Sequence, residues 1–314
     1  MWFAACTSLA AGLGSRALEW VLIREGHKGD NIMKVLVTGA NGYIGTGVVS
    51  KLLNDGVEVV ATDFRTEHVD KGAIRIDTDI FGMEDPYHSL GCPDAVVHLA
   101  WRDGFKHASE AHIIDLPKHY DFLKKLVDAG IKQVCVMGSM HEIGFYEGAI
   151  NETTPARPQS LYGIGKNALR DAVELLVKNK GTVFQWTRGY YIVGNSSAGC
   201  SIFSKITQAE KDGKTLFPFT MGTNQYDFID YDVFCEQVAA VVEQTEVTGI
   251  INCCSGYPMP LKDRVEKFIR DNNYAIRLEY GVFPDRPYDS KAVWGDDFKI
   301  RVIMKERKEK KTNG

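Results

Sequence analysis

Tyr162 and Lys166 stand four residues apart in Tyr162-Gly-Ile-Gly-Lys166, a spacing that places both side chains on one face of a helix. A free phenol titrates near ~10, and a neighbouring ammonium favours the phenolate, so the pair can take up and return a proton near neutrality. Y-x-x-x-K alone is common by chance. It gains specificity from Ser139, which follows the apolar run Gln133–Met137 and could hydrogen-bond a substrate oxygen. A second constellation is Gly39-Ala40-Asn41-Gly42-Tyr43-Ile44-Gly45. Its first glycine allows a tight turn, its second lets backbone approach a pyrophosphate, and its third permits close helix–strand packing. The helix that follows would offer free N–H groups and a partial positive charge to phosphates. Asp63, 18 residues after Gly45, can accept hydrogen bonds from ribose hydroxyls and would repel a 2′-phosphate. NAD is therefore expected, with NADP possible because Arg65 could offset that repulsion.

These residues need a frame. Lys34–Thr38, Val57–Thr62, Ala95–Leu99, Gln133–Met137 and Phe184–Arg188 read as strands. Helical stretches lie between them, notably His112–Ala129 and about Ser160 to Lys178. Alternating β and α units of this length imply an α/β fold, a doubly wound parallel sheet of Rossmann type with helices on both faces. Ligands in such sheets bind at the carboxyl ends of the strands. Residues 33–194 are expected to form this domain, with residues 228–255 returning to it. After Gly194 the rhythm changes. Helices at Ser201–Lys211, Asp232–Gln244 and Leu261–Asp271 suggest a smaller C-terminal substrate-binding lobe, mainly residues 195–314. Asp79-Ile80, after the third strand, is a candidate adenine contact or an ordinary loop.

Composition narrows the partners. Across 314 residues, 37 Lys and Arg against 41 Asp and Glu give a net charge of −4, so no basic stripe points to nucleic acid. The Lys305–Lys311 tail reads as a solvated helix end. No apolar run reaches the ~18 residues of a membrane span. The seven cysteines are scattered without a C-x-x-C pair, which argues against a disulfide framework or metal site and for reduced thiols in a cytoplasmic protein.

In order along the chain, Gly39-x-x-Gly42-x-x-Gly45, Asp63, His98-Leu99-Ala100, Ser139, Tyr162-x-x-x-Lys166, Arg188 and Asp227-Phe-Ile-Asp-Tyr-Asp232 resemble the extended short-chain dehydrogenase/reductases. More narrowly, they resemble the NAD-dependent epimerase/dehydratase family that modifies nucleotide sugars. The likeness covers about Lys34 to Lys299. It implies Tyr162 as acid/base, Lys166 lowering its pKa and binding the nicotinamide ribose, and Ser139 holding the reacting oxygen. Asn41, Tyr43, Ile44, Leu99 and Ala100 are expected to join the cofactor site. Trp101, Arg102, Met140, His141, Tyr191, Asn195 and Arg286 are expected to face substrate, Arg286 through a diphosphate that its planar fork suits. The likeness also implies a homodimer, built on helices His112–Ala129 and Ser160–Lys178.

Departures from the family pattern are informative. Family 4,6-dehydratases carry Asp-Glu after the serine; here Met140 and His141 stand there, so dehydration is disfavoured. His141 also replaces a cysteine used by one group of epimerase-reductases. Tyr191 replaces a substrate-contacting asparagine, and Tyr226 a frequent arginine. Three readings follow: a C4 keto-reductase/dehydrogenase of a deoxysugar nucleotide, a nucleotide-sugar 4-epimerase with bound NAD, and a non-catalytic dinucleotide-binding regulator. The last should have lost Tyr162 or Lys166. Met33 precedes the first strand and is expected to be the biological start, with residues 1–32 a non-native translated leader. Met1–Gly14 resembles the apolar part of a signal peptide but lacks a positively charged start.

Overall fold

The computed structural model describes residues 32–194, 201–284 and 290–313. Residues 1–31, Asn195 and Arg286 lie outside the described residues. Seven strands form one parallel sheet: β1 (Lys34–Thr38), β2 (Glu58–Asp63), β3 (Ile74–Asp77), β4 (Ala95–His98), β5 (Gln133–Ser139), β6 (Val183–Gly189) and β7 (Gly249–Cys253), in the order 7-6-5-4-1-2-3. Every pairing along that path is parallel. The order reverses between β1 and β4, and a ligand crevice forms at that reversal because the chain leaves the two strands toward opposite faces.

Alternation in the strands divides the core. Val35, Val37, Ala95, Val97, Cys135 and Met137 face one side, where they pack with Val48 and Leu52 of helix α1 (Tyr43–Asn54) and with Phe234, Val238 and Val241 of a later helix, Tyr231–Val242. Leu36, Val60, Val96, Val134, Val136 and Trp186 face the other. There they meet Phe122, Leu123 and Leu126 of helix α2 (Leu116–Asp128) and Leu169 and Val173 of helix α3 (Leu161–Val177). Period-2 apolar runs buried on both faces are what a doubly wound sheet requires.

Three elements differ from the sequence expectation. The helix expected at His112–Ala129 is two pieces, Ala111–Ile114 and Leu116–Asp128, with Pro117 in the first turn of the second. Proline has no N–H to continue a helix but fits a first turn, where that N–H would be unpaired. Gly148–Ile150, upstream of α3, joins the smaller five-stranded sheet with Tyr191–Val193, Gln225–Asp230, Pro258–Pro260 and Ala292–Gly295. Finally, the basic tail is not merely a solvated end. It belongs to a helix, Phe298–Asn313, whose Ile300 and Ile303 enter the core around α1. Its Arg307, 8% exposed, is paired with Asp55 and Glu243. Among the described residues no helix is long and apolar enough to cross a membrane.

Candidate active site

The cofactor turn sits at the reversal. Gly39 adopts φ +66°, and a Cβ there would lie 2.6 Å from the Ala100 nitrogen. One on Gly45 would lie 2.2 Å from the Gly39 oxygen. Gly42 differs: a Cβ would approach only the Gly39 oxygen, at 3.2 Å, so its outer side is open. Gly42 is also the N-cap of α1 and provides no side-chain acceptor to the first-turn amides. A bare helix N-terminus with an open glycine fits a pyrophosphate.

Asp63 ends β2 and is steered by backbone donors, accepting from Asn41 N at 3.1 Å and Phe64 N at 2.8 Å. The Asn41 side chain accepts in turn from His68 N at 2.8 Å. Tyr43 stacks on Tyr231 at 4.5 Å, and Ile44 packs against the core. Leu99 N donates to Thr38 O, and Ala100 N to the Thr38 hydroxyl. Arg65 is exposed. Asp79 caps a short 3-10 turn through Phe81 N, and Ile80 is buried in the core, so local structure already employs both. Together the glycine turn and Asp63 fit NAD.

Ser139 is the last residue of β5 and is buried. Its hydroxyl accepts from His141 N at 3.3 Å and caps the turn Met140–Glu142, while Glu142 closes the reciprocal bond to Ser139 N. Ser160 caps α3 by accepting from Gly163 N at 3.1 Å, which places Tyr162 in the first turn. There the Tyr162 phenol comes near the Ser139 hydroxyl, which acts to lower its pKa. Two glycines make this approach possible. A Cβ on Gly163 would lie 2.3 Å from the His141 oxygen, and one on Gly165 2.7 Å from the His112 oxygen.

Lys166, one turn on, is buried. Its ammonium donates to Met137 O at 2.8 Å and lies 3.8 Å from the Trp101 ring centroid. Burial brings it down to about 7, against an opposing pull from Glu142. The Tyr162 phenol is pushed up to about 12, chiefly by burial, with the nearby Ser139 hydroxyl acting the other way. In this arrangement desolvation outweighs the lowering expected from Lys166.

Five histidines surround the pair, of which sequence reasoning singled out only His141 as a site residue. His107 stacks on Tyr162 at 5.0 Å with 9° between planes, His141 meets His107 at 4.3 Å, and His112 meets Tyr162 edge-on at 5.2 Å. The Trp101 indole donates to His112 Nδ1 at 3.0 Å and stacks on His119 at 4.5 Å. His119 Nδ1 lies 2.9 Å from His98 Nε2. Burial holds His141 down at about 4 and His119 at about 3, and it lowers His98 and His107 too, so these four rings are neutral at pH 7.

Trp101 and His141 thus come together with Ser139, Tyr162 and Lys166. The other substrate candidates have partners of their own. Arg102 is paired with Asp115 at 2.7 Å. Met140 is buried in a small cluster with Tyr190 and Cys254. Tyr191 packs at a tilt against Tyr226, at 4.6 Å between ring centres, in the smaller sheet.

Residues 35–254 match the NAD dependent epimerase/dehydratase family. The chain belongs to that family. It is 40% identical over 269 residues to dTDP-6-deoxy-L-talose 4-dehydrogenase (NAD(+)) of Aggregatibacter actinomycetemcomitans, covering 84% of this chain and 99% of that relative. The fold is similar to UDP-N-acetylglucosamine 4-epimerase from Methanobrevibacter ruminantium M1, with TM-score 0.75 and 20% identity over 87% of this chain and 92% of that one. It is also similar to UDP-glucose 4-epimerase from Thermotoga maritima, with TM-score 0.72 and 22% identity over 86% and 92%.

Proposed function

We propose that this enzyme interconverts the C4 hydroxyl and C4 ketone of a dTDP-linked 6-deoxyhexose with NAD as redox partner. One observation carries the reading: Ser139, Tyr162 and Lys166 converge at the carboxyl edge beside the glycine turn, in a chain 40% identical to a 4-dehydrogenase over 99% of that relative. When bound, NAD accepts the C4 hydride, or in reduced form supplies it. The chain does the rest. In reduction Tyr162 donates a proton to the C4 oxygen as the hydride reaches C4, and in oxidation it removes that proton. Ser139 holds the same oxygen, and Lys166 supplies positive charge beside the phenol. The rings of Trp101 and the histidines exclude water from the transfer.

A cytoplasmic location is part of this reading, supported by the buried Cys135, Cys235, Cys253 and Cys254 being unbridged thiols. So is a homodimer. Ile113, Ile114, Ile164 and Leu175 are large exposed apolar side chains on the Ala111–Ile114 turn and on α3, and pairing would cover them. Leu175→Glu should then yield monomers by light scattering; a wild type that is already monomeric refutes the dimer.

The deciding experiment mixes the protein with NADH and a panel of dTDP- and UDP-sugars, 4-keto forms included. Loss of NADH equal to the sugar reduced is the expected result. A new stereoisomer without net NADH loss would identify a 4-epimerase instead.

A further inference from the structure

Behind the Ser139–Tyr162 pair lies a charge that the proton transfer does not use. Glu142 is 0% exposed, and each of its oxygens is engaged. Oε1 accepts from Ser139 N at 2.6 Å and from the Trp186 indole at 2.9 Å. Oε2 faces Arg188 at 3.4 Å and Arg170 at 3.5 Å. Even the backbone is cut to fit: a Cβ on Gly138 would lie 2.0 Å from the Trp186 indole nitrogen and 2.7 Å from Glu142 Oε1.

A buried carboxylate is costly unless paired and hydrogen-bonded, and an apolar residue of similar volume often serves stability as well or better. Glu142 spends a fully buried ion group on the one turn that carries Ser139. We propose that Glu142 is a positioning residue for the reaction: it fixes Ser139 from below and sets a buried negative charge behind Tyr162 and Lys166. The proposal rests on Tyr162 being the acid/base.

The other groups around these residues leave that charge effective. Tyr162 is faced by the Ser139 hydroxyl and by the rings of His107, His112 and His141. Lys166 faces Trp101 and Met137 O, with His98 and His119 behind the indole. The charged groups touching Glu142 are Arg170, at 13% side-chain exposure and also paired with Asp171 at 2.7 Å, and Arg188, fully buried. Glu142 raises the pKa of both Tyr162 and Lys166. Removing its charge therefore makes both groups give up protons more readily. Removing Arg170 leaves the carboxylate less neutralised and does the reverse.

The test is the pH profile of kcat/KM for NADH-driven reduction of a dTDP-4-keto-6-deoxyhexose by the full chain. Reduction needs the protonated donor, so activity falls on the alkaline side as that donor ionises. Glu142→Gln keeps an oxygen for Ser139 N and Trp186 but no charge. It should move the alkaline limb to lower pH by roughly one unit, the scale of one charge acting through a dielectric near 20. Arg170→Gln should move it to higher pH. A carboxylate that only braced the turn would lower kcat and leave the limb in place. An unmoved limb in folded Glu142→Gln overturns the proposal. Should that variant not fold, an unmoved or acid-shifted limb in Arg170→Gln overturns it. Tyr162→Phe is run alongside: full turnover there overturns the acid/base reading and this proposal with it, whereas an inactive Tyr162→Phe with unmoved limbs overturns only the role of Glu142.

Discussion

Replacing Gly163 with alanine should separate activity from stability. The new Cβ would stand 2.3 Å from the His141 carbonyl oxygen and 3.0 Å from both the His141 carbonyl carbon and Pro158 Cβ. The closest of these is backbone, which cannot rotate away. Real Cβ contacts do not fall below 3.0 Å, so α3 and the Met140–Glu142 turn must part by at least about 0.7 Å. Overpacking of this kind costs about 1–3 kcal/mol, partly offset by the ~1 kcal/mol that alanine gains over glycine in a helix. At about 2–4 °C per kcal/mol or less in a chain of this size, Tm should fall by only a few degrees. Activity should suffer far more. The displacement separates the helix that carries Tyr162 from the turn that follows Ser139, and misplacement near ~1 Å at a reacting group costs on the order of 100-fold. Thermal melts and initial rates of keto-sugar reduction measure the two effects. Gly82→Ala is the control, since its Cβ would meet nothing within 4 Å. Normal turnover in Gly163→Ala would refute the argument that this close approach sets the tyrosine.

Lys166→Met should abolish turnover and yet raise Tm at pH 6. A lysine at about 7 when folded and 10.5 when free makes the unfolded chain bind more protons between those values. Its burial therefore costs stability fully below pH 7, and the cost fades as pH rises toward 10.5. Melts at pH 6 and pH 10 should show the larger gain at pH 6; a gain that does not depend on pH would contradict the burial argument. Asp63→Asn should weaken NAD and narrow its advantage over NADP by about 10-fold or more, read as kcat/KM for each cofactor, because the carboxylate that would repel a 2′-phosphate is gone. An unchanged ratio would place cofactor choice elsewhere. Trp101→Phe removes the indole bond to His112 and weakens the ring under the Lys166 ammonium, an interaction worth about 0.5–2 kcal/mol. It should lower kcat with little change in NADH affinity, measured by titration of NADH fluorescence.

The sheet was legible because its signals are local. Apolar alternation at Lys34–Thr38, a glycine turn, and Ser160 before an apolar helix each act within a few residues. Glu142 was not legible: it lies next to His141, where comparison with the dehydratases stopped, and its partners Arg170 and Arg188 are 28 and 46 residues away. Most of the histidine cage hid for the same reason: His141 alone was expected at the site, and His107, His112 and His119 carry no signal until folding brings them against Tyr162 and Trp101. Gly163 and Gly165 fall in the unspecified part of Y-x-x-x-K, and only the close approach of His141 and His112 in space tells what they do. The tail misled because Lys305–Lys311 reads as a charged surface run; that Arg307 turns inward depends on Asp55 and Glu243, which sequence proximity does not bring to it.

The route of the chain through the sheet has a consequence for assembly. After β6 the polypeptide leaves, builds strands and a helix of the smaller lobe, and returns with Tyr231–Val242 and β7. Phe234, Val238, Ile251, Ile300 and Ile303 then complete the same apolar layer that Val35 and Val48 began. A ribosome that has finished Gly194 has made every strand of the sheet but one and little of one face's cover. The nascent chain must hold that face in reserve for more than a hundred residues, closing its most distant contacts last, where loop entropy makes folding slow. A chain cut after Gly194 would therefore leave one face of the sheet without Phe234, Val238, Ile251, Ile300 and Ile303 to cover it.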